Sequence, residues 1–227
     1  MTTEQIVLLC VVIGILVLSL GLHECAHAGV AYLRGDDTAK RLGRLTPNPI
    51  VHIDPFMTIL LPALLFVSTN GSFVFGGAKA VPVVPSRLKH PLRDMMWVAL
   101  AGPATNLVLA FLFMMLWKAS TVFWGYDDAE LLPQALYLSA LYNILLTIFN
   151  MLPIPPLDGS RVMAYVMPES LREGYVALER FGLILVVAVI FVLPRAYPPA
   201  AGWLPGAMDA VEQFIYDLTG GDWRRFR

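Results

Sequence analysis

The sequence has 227 residues, of which 57% are hydrophobic and 15% are charged, and its formal net charge is −1. This apolar share and a mean hydropathy of +0.66 exclude an ordinary soluble domain and predict an integral membrane protein with one domain, residues 1–227. No concentrated basic face is present, so a nucleic-acid partner is not expected. Cys10 and Cys25 fall on the same predicted helix, which excludes a disulfide between them.

The first predicted element is a membrane helix that starts with the uncharged apolar run 6–22 and continues to Leu33. It contains an H-E-x-x-H motif at residues 23–27. On a helix His23 and His27 lie on one face, so both imidazoles can bind one metal ion, and Glu24 lies beside a metal-bound water. The motif is expected roughly 10 to 15 Å from the helix end, inside the membrane, where ionisable groups mark functional sites.

A polar, proline-containing connector follows at residues 34–55. Residues 56–67 are apolar but too short to cross a bilayer, which favours a re-entrant or interfacial segment. Residues 72–84 are rich in Val and Phe and are interrupted by glycine and proline, a pattern that predicts an edge strand or small hairpin near the membrane.

Further membrane spans are predicted over residues 95–117, 131–157 and 176–193. Residues 201–218 contain three acidic residues, so this segment is either a weak last span or an amphipathic interfacial helix, with the span favoured. The predicted fold is an all-α polytopic membrane protein. It is a bundle of about five to six transmembrane helices with a short re-entrant segment and a small membrane-associated β-hairpin or edge strand.

Positive charges predict the orientation of this multi-pass protein in the cell membrane. They concentrate in segments 34–55 and 70–94, whereas the loop after residue 117 carries one Lys and three acidic residues. By the positive-inside rule the first connector is cytosolic. The histidine motif and the proline-rich end of the 131–157 segment then both lie nearer the cytosolic face.

A catalytic zinc ion has three protein ligands and an open position for water, so two histidines are not sufficient. The candidate for the third ligand is Asp158, which follows three prolines and precedes Gly159 at the expected cytosolic end of its span. In this arrangement zinc activates water and Glu24 transfers its proton.

Four ordered blocks together resemble a known family. They are H-E-C-A-H-A at residues 23–28, G-R-L-T-P-N-P-I-V-H-I-D-P at 43–55, A-G-P-A-T-N at 101–106 and F-N-M-L-P-I-P-P-L-D-G at 149–159. The chain resembles the site-2 protease family of intramembrane zinc metalloproteases, in its compact form without PDZ or other soluble domains.

The resemblance implies one Zn²⁺ ion, a catalytic acid/base and two asparagines near the substrate backbone. The implied residues are His23, His27 and Asp158 as ligands, Glu24 as acid/base, and Asn106 and Asn150 as substrate-lining residues. It also implies that the strand at residues 72–84 pairs with an unwound substrate. The expected partners are the lipid bilayer and a membrane-protein substrate with a transmembrane helix.

Two alternatives come from other functional classes. A membrane metal transporter would need several ligand sites along a path, and the sequence contains one cluster. An inactive membrane scaffold is disfavoured by the intact Glu24 and the complete set of ligands.

Overall fold

The computed structural model describes residues 2–61, 64, 67 and 76–220. These residues are mostly helical, and none of them is in a β-strand. The α-helices are α1 (Thr3–Leu33), α2 (Thr38–Arg41), α3 (Pro91–Val122), α4 (Leu131–Asn150), α5 (Asp158–Val166), α6 (Glu169–Ala177), α7 (Gly182–Val187), α8 (Leu193–Ala196) and α9 (Trp203–Leu218). Short 3₁₀ or π turns lie at Pro49–His52, Pro55–Leu60, Pro85–Arg87, Leu178–Phe181, Ala188–Val192 and Pro198–Gly202.

Three of the described helices are long and apolar enough to cross a membrane: α1 with 31 residues, α3 with 32 and α4 with 20. The helical stretches Glu169–Phe181 and Ile184–Ala196 meet at 84° and count as a fourth crossing if they form one span. The protein is therefore a helical membrane protein. The predicted count of five to six spans stays a prediction.

Both ends of α1 are defined by local hydrogen bonds. At the start, the Gln5 N–H donates to Thr2 Oγ1 and the Thr2 N–H donates to Gln5 Oε1, which is a capping box. At the end, Gly35 has φ of 113°. The N–H of Asp36 reaches Ala31 O and that of Gly35 reaches Tyr32 O, a Schellman motif that ends the helix. The predicted helix end at Leu33 is confirmed.

The segments between the long helices are described only in part, and the predictions for them are not confirmed. Residues 72–75 of the predicted edge strand lie outside the described residues, and residues 76–84 form no β-ladder, so the strand is not confirmed. In the predicted re-entrant segment, Pro55–Leu60 forms a π turn capped by the Asp54 carboxylate, and residues 62, 63, 65 and 66 lie outside the description.

The later spans also differ from the predictions. The 131–157 helix ends at Asn150, because Pro153, Pro155 and Pro156 supply no N–H to continue it. The region of the predicted span at 176–193 forms two helical stretches, Glu169–Phe181 and Ile184–Ala196, at 84° to each other, so a single straight span there is not confirmed. Helix α9 has 16 residues, fewer than the roughly 20 needed to cross a bilayer, which weakens the favoured interpretation of 201–218 as a span.

The chain forms two compact units, which we call the motif unit (residues 17–102) and the bundle unit (residues 1–16 and 103–227). The core of the bundle unit is a buried apolar cluster from α3, α4 and α9, consisting of Ala110, Met114, Ala140, Ile144 and Ile215. The motif unit contains the second half of α1, the connector and the start of α3. These compact units do not test the prediction that residues 1–227 act as one domain.

Candidate active site

The two histidines of the motif converge on one point beside α1. Their Nε2 atoms are 3.0 Å apart, and the rings meet edge to face with centroids 4.6 Å apart. Both are buried, with exposed fractions of 4% for His23 and 8% for His27. The i, i+4 spacing on an uninterrupted helix therefore produces the predicted pair of adjacent ring nitrogens.

The tautomer of His27 is fixed by the main chain of α3. Its Nδ1 lies 2.7 Å from the Val98 carbonyl oxygen. Because a carbonyl can only accept, Nδ1 carries the proton and Nε2 of the neutral ring presents its lone pair. Such a second hydrogen bond is how ligand histidines are oriented in metal sites.

Glu24 lies at the same place, and its side chain is held by a main-chain donor. Oε2 accepts a hydrogen bond of 2.8 Å from the Val81 N–H. A carboxylate oxygen of Glu24 and the histidine nitrogens all lie within 4.8 Å of one another. The carboxylate is thus close enough to the histidines to contact a water molecule bound between them.

Gly102 allows α3 to approach this cluster. A Cβ atom placed on Gly102 would lie 2.5 Å from Nε2 of His23 and 2.5 Å from Nε2 of His27. Gly102 is one turn beyond Val98, so the same face of α3 provides both the carbonyl acceptor and the space in front of the rings. Any side chain at residue 102 would occupy the position that the ligand atoms face.

The donor set fits a zinc ion. Two Zn–N bonds of about 2.0 to 2.1 Å at a tetrahedral angle would place the nitrogens about 3.3 Å apart, and the observed separation is 3.0 Å. Neutral imidazole is the form that binds metal, and in neutral His27 the bond from Nδ1 to the Val98 carbonyl leaves the lone pair on Nε2. Within the described residues, His23, Glu24 and His27 form a group of potential metal ligands. The separation and the chemistry of the two histidine nitrogens suit zinc.

The other three predicted site residues belong to the bundle unit. Asp158 is the first residue of α5. A Cβ atom on the next residue, Gly159, would lie 2.2 Å from Met151 O, so glycine is required for the close turn before α5. Asn106 is fully buried on α3. Asn150 ends α4 and donates from Nδ2 to Leu146 O. Their roles as ligand and substrate-binding residues stay predictions.

Sequence reasoning missed three contributors: the Val81 N–H, the Val98 carbonyl and the space at Gly102. The first two are main-chain groups, which every residue type except proline at the N–H can provide, so side-chain patterns carry no signal for them. Gly102 falls within the A-G-P-A-T-N block. The glycine in that block was the available signal for a position where no side chain fits.

Comparison with known proteins identifies a matching family and several relatives of this chain. The model for peptidase family M50 matches residues 126–193. YwhC of Bacillus subtilis is 40% identical over 182 residues, which cover 79% of this chain and 78% of the relative. Rip2 of Mycobacterium tuberculosis strain H37Rv is 32% identical over 215 residues, covering 94% and 75%. Rip2 of Mycolicibacterium smegmatis is 34% identical over 173 residues, covering 76% and 63%.

All three relatives are named as candidate zinc metalloproteases, and none of these matches supports the transporter or scaffold alternative. No solved structure is significantly similar to the chain. The family match and the coverage of these relatives show that the chain belongs to peptidase family M50, the site-2 proteases, and is an intramembrane zinc metalloprotease.

Proposed function

We propose that this protease hydrolyses peptide bonds within or next to the transmembrane segments of membrane-protein substrates. His23, His27 and Asp158 bind the zinc ion, and Glu24 is the catalytic acid/base. The observation that carries this assignment is the buried cluster of His23, Glu24 and His27 on a helix long and apolar enough to span the membrane. Burying three ionisable groups on such a helix is costly and is expected where they perform chemistry.

A zinc ion held by His23, His27 and Asp158 would polarise the scissile carbonyl and favour deprotonation of the attacking water. Glu24 accepts the proton of that water as its oxygen adds to the carbonyl carbon. Glu24 then gives the proton to the peptide nitrogen as the C–N bond breaks, which leaves a carboxylic acid and an amine. The acid passes its remaining proton to the amine, so the final products are a carboxylate and an ammonium group. His23 and His27 serve as fixed donors, since the Val98 carbonyl keeps His27 in its binding tautomer.

Asp158 is the third ligand in this proposal. Two arguments support it: zinc in catalytic sites has three protein ligands, and the close contact of Gly159 with Met151 O defines the turn that holds Asp158. Metal content in Asp158→Ala, compared with Asp127→Ala in the loop before α4, tests this ligand. Loss of zinc from the first variant alone is expected, and unchanged zinc would contradict it.

The substrate is bound in extended form along the segment 76–84. The N–H groups of Gly77, Lys79 and Val81 are already used within the motif unit. In an extended chain the alternate residues, Ala78 and Ala80, face the opposite edge and can pair with a substrate strand. A small hairpin that includes residues 72–75 would complete this edge. Asn106 and Asn150 contact the substrate backbone.

The protein acts in the cell membrane with its active site nearer the cytosolic face. The positive charges of segments 34–55 and 70–94 support this orientation. In our proposal the whole chain, residues 1–227, works as one protease domain with five to six membrane-crossing helices. Packing of α9 against α3 and α4 through Ile215 supports its membership in that bundle.

The variant Glu24→Gln tests the catalytic assignment. Glutamine keeps the shape of the side chain and an oxygen that can accept from Val81, but it cannot take the proton. We expect cleavage of a membrane-spanning test substrate by the purified variant to fall by at least about 10²- to 10⁴-fold, with zinc content unchanged. Cleavage at the wild-type rate would contradict the role of Glu24.

A further inference from the structure

The segment 77–84 is attached to the motif unit through a regular series of main-chain donors. The N–H of Gly77 bonds Met57 O at 3.0 Å, and the N–H of Lys79 bonds His52 O at 2.7 Å. The next donor in the series, the N–H of Val81, bonds Glu24 Oε2 at 2.8 Å. The spacing of two residues indicates an extended chain with one edge facing the motif unit.

The third bond differs from the first two because its acceptor is the carboxylate we assign to catalysis. Only 9% of the Glu24 surface is exposed, so the carboxylate has lost most of its hydration and needs a donor. Hydrogen bonds to an ionised acceptor are among the stronger ones in proteins. Within the described residues, the Val81 N–H is the hydrogen-bond donor to the Glu24 carboxylate.

The position of the Val81 N–H is fixed on both sides. Before it, Lys79 is bound at its N–H, and its carbonyl accepts from Arg44 Nη1 at 3.3 Å. After it, the Val84 N–H donates to Asp36 Oδ2 at 2.6 Å. Pro82 and Pro85 restrict the backbone between and beyond these points. The donor therefore approaches Glu24 from a constrained direction.

We propose that the main-chain N–H of Val81 positions Glu24 for catalysis. By holding Oε2 it directs the other oxygen, Oε1, to the proton of the attacking water. The inference rests on the proposed function, in which Glu24 is the acid/base and segment 76–84 receives the substrate. It makes that segment an orienting element for the catalytic carboxylate as well as a binding edge.

The test compares Val81→Pro, which removes the N–H, with Val81→Ala, which keeps it. We expect kcat of Val81→Pro to be about 10- to 100-fold lower than that of Val81→Ala, the loss expected for a hydrogen bond to a charged group. The two variants are expected to have similar KM values and similar zinc content, because neither ligands nor the open edge at Ala78 and Ala80 change. Equal kcat in the two variants would overturn the proposal.

A second measurement applies if Val81→Pro does not fold. In wild-type protein the Val81 amide is protected from hydrogen exchange by Glu24, so Glu24→Ala is expected to accelerate exchange at Val81 while Lys79 remains protected by His52 O. Unchanged protection at Val81 would overturn the proposal. Wild-type cleavage by Glu24→Gln would instead contradict the proposed function. An inactive Glu24→Gln with equal kcat in the Val81 variants would contradict the Val81 inference alone.

Discussion

The motif unit and the bundle unit are stabilised in different ways. The bundle unit has an apolar cluster in which Met114, Ile144 and Ile215 are almost fully buried. The motif unit buries ionisable side chains, and most of them bond the main chain. These pairs are Glu24 with Val81, His27 with Val98, Asp36 with Thr38 and Val84, His52 with Thr46, and Asp94 with His90.

This difference indicates which kind of substitution each unit is sensitive to. A buried ionisable group needs a partner in a defined direction, so the motif unit depends on the course of its backbone. An apolar cluster depends on volume, because a lost methylene leaves a cavity. We therefore expect backbone changes in the motif unit to affect zinc binding and catalysis, and volume changes in the bundle unit to affect stability.

The largest effect is expected for Gly102→Ala. The new Cβ would lie 2.5 Å from Nε2 of both histidines, so α3 or the rings must move and the ligand geometry is lost. We expect zinc affinity and activity to fall at least about 10- to 100-fold, as when the partners of ligand histidines are changed. Metal analysis and a cleavage assay measure the two quantities.

The matched control is Gly174→Ala, because a Cβ atom at Gly174 of α6 meets nothing within 4 Å. It is expected to retain zinc and activity and to gain a few tenths to 1 kcal/mol in stability, since alanine favours helix. A fully zinc-loaded, active Gly102→Ala protein would show that α3 does not need to contact the ligand rings.

A smaller effect, on stability alone, is expected for Met114→Ala in the bundle unit. Met114 has no exposed surface, and truncation of such a side chain costs about 2 to 5 kcal/mol. We expect a lower Tm in detergent, with the zinc content and kcat of the folded fraction unchanged. Leu112→Ala is the control, because Leu112 is 48% exposed and its truncation leaves no enclosed cavity. Loss of zinc from Met114→Ala without a lower Tm would contradict the expectation that volume changes in the bundle unit affect stability and not zinc binding.

The smallest effect concerns Asp36 and pH. Burial alone would raise the pKa of Asp36, but hydrogen bonds from the Thr38 side chain and the main chain of Val84 and Thr38, with the positive charge of Arg87, lower the pKa below its ordinary value of 3.8. Because the folded-state pKa is depressed, the ionised group stabilises the fold above the unfolded-state pKa. That stabilisation is lost as pH falls through the folded-state value.

Asp36→Asn is therefore expected to have a lower Tm than wild type near pH 7, by the equivalent of about 1 to 3 kcal/mol. The difference should narrow as pH falls below the unfolded-state pKa of about 3.9 and through the lower folded-state pKa. Thermal melts of both proteins at several pH values measure this. A Tm difference between the two proteins that stays constant down to the lowest pH would show that the charge of Asp36 does not stabilise the fold through its hydrogen bond from the Val84 N–H.

The sequence predicted those parts of the protein that depend on side-chain identity and helical spacing. The histidine pair, Glu24 beside it and the end of α1 follow from i, i+4 geometry and from Gly35. The contacts of Val81 and Val98 could not be predicted, because a main-chain group bonds a distant residue without leaving a pattern. The break before Ile184 and the early end of α4 were missed for another reason: apolar composition indicates burial in lipid but does not define where a helix bends or stops.

The unbroken course of α1 also has a consequence for the supply of reagents. His27 is six residues and His23 ten residues before the last residue of α1, so the two rings are attached about 9 to 15 Å along the helix from that end. In the proposed mechanism each turnover consumes one water molecule and creates two ionisable chain ends at that depth. Catalysis there therefore requires that water reaches the cluster and that the new termini leave it.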